Sequence, residues 1–154
     1  SLVALGITPE TATDGQIEAN SKHWFKYNGD RSVKEEKVNA GALTFGLTYS
    51  TSGFGNGVNN WKVKTIESLP DGNRRIVYTN HLGQAILRVL VRMSGGSETG
   101  DKWYEYFQYD SAGRITMRAN SSAVQSVNEG AAGLVTLKSG AGIRRLKERI
   151  RKSF

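Results

Sequence analysis

Cysteine is missing from all 154 residues. That excludes disulfide scaffolds, thiol nucleophiles and cysteine-ligated metal sites, and it gives no reading of redox compartment. Proline is scarce, with 2 residues against 18 glycines, a balance that suits short strands joined by tight turns. Long apolar runs are lacking as well. None approaches the ~20 residues of a membrane-spanning helix. The opening residues, SLVALGI, are too short and lack the basic leader of a secretory signal. The first residue is Ser1 rather than methionine, which reads as a segment of something longer. Histidine is limited to His23 and His81, in different stretches and without ligand spacing to acidic residues. A metal site needs three or four converging ligands, so no metal and no other cofactor is expected.

What is present fits one domain or a piece of one. The hydrophobic content of 38% is low but not at the limit of disorder. The net charge of +7 is placed unevenly. Arg144, Arg145, Lys147, Arg149, Arg151 and Lys152 stand against Glu148 alone, so residues 143–154 carry +5 and the rest of the chain +2. Any attraction to nucleic acid or to an anionic membrane is therefore a property of this tail.

Period-2 alternation dominates the chain. His23–Tyr27 and 31–39 read as a hairpin turned at Asn28-Gly29-Asp30, with Asn-Gly as the turn signal. Leu43, Phe45, Leu47 and Tyr49 alternate with polar or small residues, as in a half-buried strand. Residues 50–60 are a glycine- and asparagine-rich loop. Strands follow at 61–68 and 74–79 around the turn Pro70-Asp71-Gly72-Asn73. After a turn at 80–83 comes the most apolar strand, 85–93. Its Ala85, Leu87, Val89 and Val91 share one face, and Ile86, Arg88, Leu90 and Arg92 the other. A polar loop at 94–101 leads into a hairpin over 102–119. Residues 122–130 read as loop or weak strand, and 134–137 as a short strand. In 1–21 the sequence gives a loop with about one helical turn, begun at Thr8-Pro9-Glu10 and stopped by Thr11, Thr13, Asp14 and Gly15. Ile143, Leu146, Ile150 and Phe154 form one stripe of a basic amphipathic helix over 143–154, marginal in isolation at its length. The expected class is thus mainly β, an antiparallel sheet of hairpins with a short C-terminal basic helix. Residues 1–21 would be weakly structured, 22–137 the hairpin region and 138–154 the tail.

Three turns share one setting. Tyr109-Asp110-Ser111-Ala112-Gly113-Arg114-Ile115 is the fullest. Thr79-Asn80-His81-Leu82-Gly83-Gln84-Ala85 has the same spacing, and Gly83 lies 30 residues before Gly113. Tyr27-Asn28-Gly29-Asp30-Arg31-Ser32-Val33 reads as a version one residue tighter. A strand–turn–strand unit of this kind cannot bury its apolar face alone, whereas stacked copies can.

On these motifs the sequence resembles the RHS/YD-repeat family, in particular the large RHS-repeat proteins of planctomycete-type bacteria. Tyr109-Asp110-x-x-Gly113-Arg114-Ile115 matches the family's tyrosine–aspartate signature, and LPDGNRRIVYTNHLGQAILRV and WYEYFQYDSAGRITMRANSSAV extend the likeness across about residues 22–137. Residues 138–154 depart from it. The resemblance implies hairpins wound into a curling antiparallel sheet, which in some members closes into a shell around a toxin domain and in others forms cell-surface or adhesive structures. This chain would then be a non-enzymatic structural segment of a secreted or cell-surface protein, partnered by neighbouring YD repeats. Asp110 and Arg114 would hold the turn and bridge to the next hairpin.

Other readings come from the residues alone. Trp103, Tyr104 and Tyr106 could stack on carbohydrate or another surface ligand, against plain packing across neighbouring strands. The adjacent Glu35 and Glu36 point to opposite sides of a strand and make a poor acid–base pair. No nucleophile or base stands near Asp110 and Arg114, and no catalytic constellation is expected. The tail could bind anionic partners, cap the sheet through its apolar stripe, or have no role.

Overall fold

The computed structural model describes residues 6–8 and 10–139, and the backbone of residues 144 and 145. Its regular structure is almost entirely antiparallel sheet. In chain order the elements are α1 (Asp14–Asn20), β1 (His23–Tyr27), β2 (Val33–Val38), β3 (Leu43–Thr51), β4 (Val63–Ser68), β5 (Arg74–Thr79), β6 (Ala85–Ser94), β7 (Ser97–Tyr109), β8 (Ile115–Asn120), β9 (Val124–Val127), β10 (Val135–Leu137) and β11 (Arg144–Arg145). β1 to β8 follow one another across a single sheet in sequence order, with the two-residue β11 on the edge of β8, while β9 and β10 pair separately. Every pairing is antiparallel. The mainly-β hairpin sheet expected from period-2 alternation is the observed architecture.

The core lies at one end of this meander. On β6 the side chains of Leu87, Val89 and Val91 are buried while those of Arg88, Leu90 and Arg92 face out. Tyr78, Tyr106, Met117 and Ala119 extend the buried face across β5, β7 and β8. The β9–β10 layer closes over it with Ala123, Val124 and Leu134, and Trp61 enters from the loop before β4. Ile86 does not keep to the outward face that strict alternation assigns it. Tyr78 pairs with Leu87 and Thr79 with Ala85, so Ile86 is the extra residue of a bulge, and it is fully buried. An unpaired bulge residue re-aims its side chain, which defeats a two-residue period.

Four further expectations are corrected. Residues 94–101 are not a loop. Gly95 and Gly96 both take positive φ, at 56° and 82°, and Ser94 pairs with Ser97, giving a two-residue turn of the kind that matches strand twist. The helix near the N-terminus starts at Asp14, among the residues read as helix-stopping, and includes Gly15. Thr13 is its N-cap and closes a capping box with Gln16, so the threonine starts the helix instead of ending it. The β3 face with Leu43, Phe45, Leu47 and Tyr49 is covered only at its middle: Phe45 and Leu47 are half-buried, Leu43 and Tyr49 are exposed, and no residue of β1, β2 or β3 is fully buried. Finally, at Arg144–Arg145 the backbone is extended and pairs with Arg118 and Met117, not helical. The rest of the 143–154 stripe lies outside the described residues.

Candidate functional site

Strands β1 to β8 alternate in direction, so the three repeated turns all fall at the same end of the sheet, together with the 52–62 loop. Each turn is closed by the same two backbone bonds. Gly113 N–H donates to the Asp110 carbonyl at 2.9 Å and Asp110 N–H to the Arg114 carbonyl at 2.9 Å. Gly83, Asn80 and Gln84 repeat this at 3.0 and 2.9 Å, and Arg31, Asn28 and Ser32 at 3.0 and 2.8 Å. The fourth residue of each turn has positive φ: 77° at Gly113, 78° at Gly83 and 68° at Arg31. The first turn is therefore not one residue tighter. It is full length, with Arg31 in the glycine position, and Gly29 is not its left-handed residue. A fourth copy, missed in the sequence, runs Leu69 to Asn73 at the opposite end of the sheet, with Gly72 at φ 84°.

A non-glycine residue held at positive φ costs about 1 kcal/mol. Arg31→Gly is expected to raise stability by about 0.5–1 kcal/mol, the strain relieved less the extra freedom of glycine in the unfolded chain. Urea denaturation of the two proteins checks this. An unchanged or lowered midpoint would contradict the assignment of Arg31 to the glycine position.

In all three copies the first and fifth side chains also bond each other. Asp110 accepts from Arg114 Nε at 2.8 Å and Nη2 at 2.8 Å. Asn80 Nδ2 donates to Gln84 Oε1 at 2.9 Å, and Asn28 Nδ2 to Ser32 Oγ at 2.9 Å. The amide of the fifth residue is capped as well. Asp110 Oδ1 takes it in one turn and Asn80 Oδ1 in another. In the remaining two, Asp30 and Asp71 do so from the third position. These are Asx-type bonds, which favour aspartate and asparagine in turns.

Backbone and side-chain donors hold the Asp110 carboxyl below the usual aspartate range, the Arg114 amide foremost. A folded-state pKa below the unfolded value means that this stabilisation is complete above the unfolded pKa of ~3.9 and is lost as pH falls through the lower folded value. Asp110→Asn keeps an Oδ1 acceptor and cannot titrate. It is expected to flatten the acid limb of the stability profile below about pH 4, measured as melting temperature against pH. An acid limb of unchanged steepness would contradict the role given to Asp110.

The turns are also joined to one another. Gln84 Nε2 donates to the Gly113 carbonyl at 2.9 Å, and Tyr109 Oη to the Ala85 carbonyl at 2.8 Å. Asn59, in the intervening loop, clamps the Tyr109 backbone: Nδ2 donates to its carbonyl at 2.8 Å and Oδ1 accepts its N–H at 2.8 Å. Asn80 Nδ2 reaches the Val58 carbonyl at 2.7 Å, and the Asn80 side chain is 1% exposed. Thr79 takes part through its carbonyl, which accepts from Lys62 N–H at 2.7 Å. Tyr27 stands apart, 60% exposed. Gln84 and Asn59 were not singled out in the sequence. Gln84 occupies the position of Arg114 in its copy, which is a usable signal. Asn59 sits among similar residues in a loop and carries none.

The aromatic residues proposed for stacking do not form one platform. Trp103 is 52% exposed on the open face beside Leu90, its pairing partner. Tyr104 and Tyr106 point to the covered face, and Tyr106 is 2% exposed within the core. Phe107, on the open face, lies under two guanidinium groups, Arg88 at 5.4 Å and Arg118 at 5.8 Å, and Glu105 pairs with both. His23 contacts Glu36 at 3.0 Å, and Glu35 pairs with Lys26 at 3.3 Å. No group of three or more metal-ligating side chains converges among the described residues. Of the basic tail, Arg144 and Arg145 are the two residues in β11; Lys147, Arg149, Arg151 and Lys152 lie outside the described residues.

A second concentration of polar groups lies on the covered face, where Glu129 fastens the small layer to the sheet. Its Oε1 accepts from Lys64 Nζ at 2.6 Å and from Tyr78 Oη at 2.7 Å. The Lys64 bond is the main cause of the lowered Glu129 pKa, and burial is the main cause of the raised Tyr78 pKa. Trp61 adds its N–H to the Ala132 carbonyl at 3.0 Å and its indole N–H to the Glu129 carbonyl at 3.3 Å. Compared with known proteins, the chain matches no family model, no curated protein and no solved structure.

Proposed function

We propose that the chain is a non-enzymatic architectural segment, a run of hairpins from a longer sheet of the RHS/YD-repeat type, belonging to a secreted or cell-surface protein. The observation that carries this reading is the repeated turn. Three copies share backbone closure, a left-handed fourth residue and a bonded first and fifth side chain, and two of them are hydrogen-bonded to each other. Such units derive stability from their neighbours. The outer edge of β1 pairs with no strand among the described residues and has no proline, and the next hairpin of the same polypeptide is the partner that fits it.

Cross-linking of the natural full-length polypeptide tests the proposal through Lys22 and Lys26, which flank and occupy β1. Links from these lysines to a hairpin outside the 154 residues are expected. Links confined to the 154 residues would sink the reading. One observation favours a second reading, a surface-ligand platform: the exposure of Trp103 beside Leu90 on the open face. Loss of glycan-array binding on Trp103→Ala is its test.

A further inference from the structure

The β9–β10 layer stops short of covering the whole inner face, and leaves a hollow of about 270 Å³ between β4–β7 and the end of β9. We propose that this hollow binds one neutral sugar ring. It is independent of the architectural reading and lies on the opposite face from Trp103.

Its charge pattern selects a neutral ligand. Two ion pairs line it, Lys64 with Glu129 at 2.6 Å and Lys102 with Glu98 at 2.7 Å, so the four groups sum to zero. A charged ligand finds no net opposite charge in the hollow to offset its desolvation. A polyol needs none. Each ammonium has three donors and each carboxylate about four acceptor positions, so both pairs keep capacity for hydroxyl groups while intact. Ile76 and Val89 supply an apolar floor suited to the C–H face of a ring. Tyr104 also lines the hollow, and its hydroxyl has no hydrogen-bond partner among the described residues, in contrast to that of Tyr78. The size sets the ligand at one ring, since the hollow lies just below the ~300 Å³ at which sites for larger ligands begin.

The test is a heteronuclear NMR titration of the whole chain with glucose, galactose and N-acetylglucosamine, with glutamate and spermidine as charged probes. At least one sugar is expected to shift the amides of Glu98, Tyr104 and Val127 saturably, with Kd of order 1 mM. Tyr104→Phe removes a hydroxyl that bonds none of the described residues, and should weaken binding about five-fold. Trp103→Ala should leave it unchanged. The proposal is overturned by the absence of saturable shifts with all three sugars, by saturation with a charged probe alone, or by binding that Trp103→Ala abolishes and Tyr104→Phe leaves intact.

Discussion

Trp61→Ala lowers the stability of this protein by about 3–5 kcal/mol, the range for removing a large buried aromatic. Trp61 is 5% exposed and stands at the seam between the sheet and the β9–β10 layer. Its ring meets Tyr78 edge-on at 5.6 Å and Phe54 at 6.1 Å. Its main-chain and indole N–H groups hold the Ala132 and Glu129 carbonyls. Alanine keeps the main-chain bond to Ala132, loses the indole bond to Glu129, and leaves a cavity over Tyr78. At ~2–4 °C per kcal/mol for a chain of this size, the melting temperature should fall by roughly 10 °C. Trp103→Ala is the control. That tryptophan lies on the open face, and its loss should move stability by no more than about 0.5 kcal/mol. Equal effects at the two positions would contradict the placement of the core.

Asn80→Ala is expected to cost about 3 kcal/mol, near the upper end for stranding buried polar partners. Four bonds depend on this one side chain. Its Nδ2 serves the Val58 carbonyl and Gln84 Oε1, and its Oδ1 accepts the Leu82 and Gln84 amides. Asn80→Asp retains the acceptor and loses both donations, and it places a carboxylate where only 1% of the residue is exposed. It is no milder than alanine, because a buried charge without a cation is costly. The reverse exchange at the equivalent position, Asp110→Asn, is the milder change near pH 7: asparagine keeps the Oδ1 bonds to the turn amides and loses only the pair with the exposed Arg114 guanidinium. Chemical denaturation of the three variants gives the comparison. A mild Asn80→Asp alongside a severe Asp110→Asn would contradict the account of the two turns.

The strands were legible in the sequence because one face of each is chemically distinct from the other, and Leu87, Val89 and Val91 on β6 show it plainly. The aspartate and asparagine turns were legible because backbone capping restricts residue choice. The departures have local causes. Ile86 sits in a bulge, which a fixed period cannot anticipate. Arg31 takes a left-handed conformation normally filled by glycine, so the copy was read one residue short. Gly95 and Gly96 form a turn so tight that the flanking polar residues are strand, not loop. The joints between turns were not legible at all. Asn59 and Tyr109 are 50 residues apart, and their bonds arise only once the strands are in register. The hollow likewise needs Glu98, Lys102 and Glu129 brought together from β7 and the segment after β9.

The molecule is a row of hairpins stabilised by their neighbours and by one covering layer, and not a domain with a core throughout. Native-state hydrogen exchange resolved along the chain tests it directly. The buried residues lie in β5 to β9 with Trp61 and Leu134, and none lies in β1, β2 or β3. Slow exchange is therefore expected in β5 to β8, including the amides of Asn80, Gly83, Asp110 and Gly113, with protection falling off through β3 to β1 as a separate, lower-energy opening. Uniform protection from β1 to β8, lost in a single global event, would contradict it.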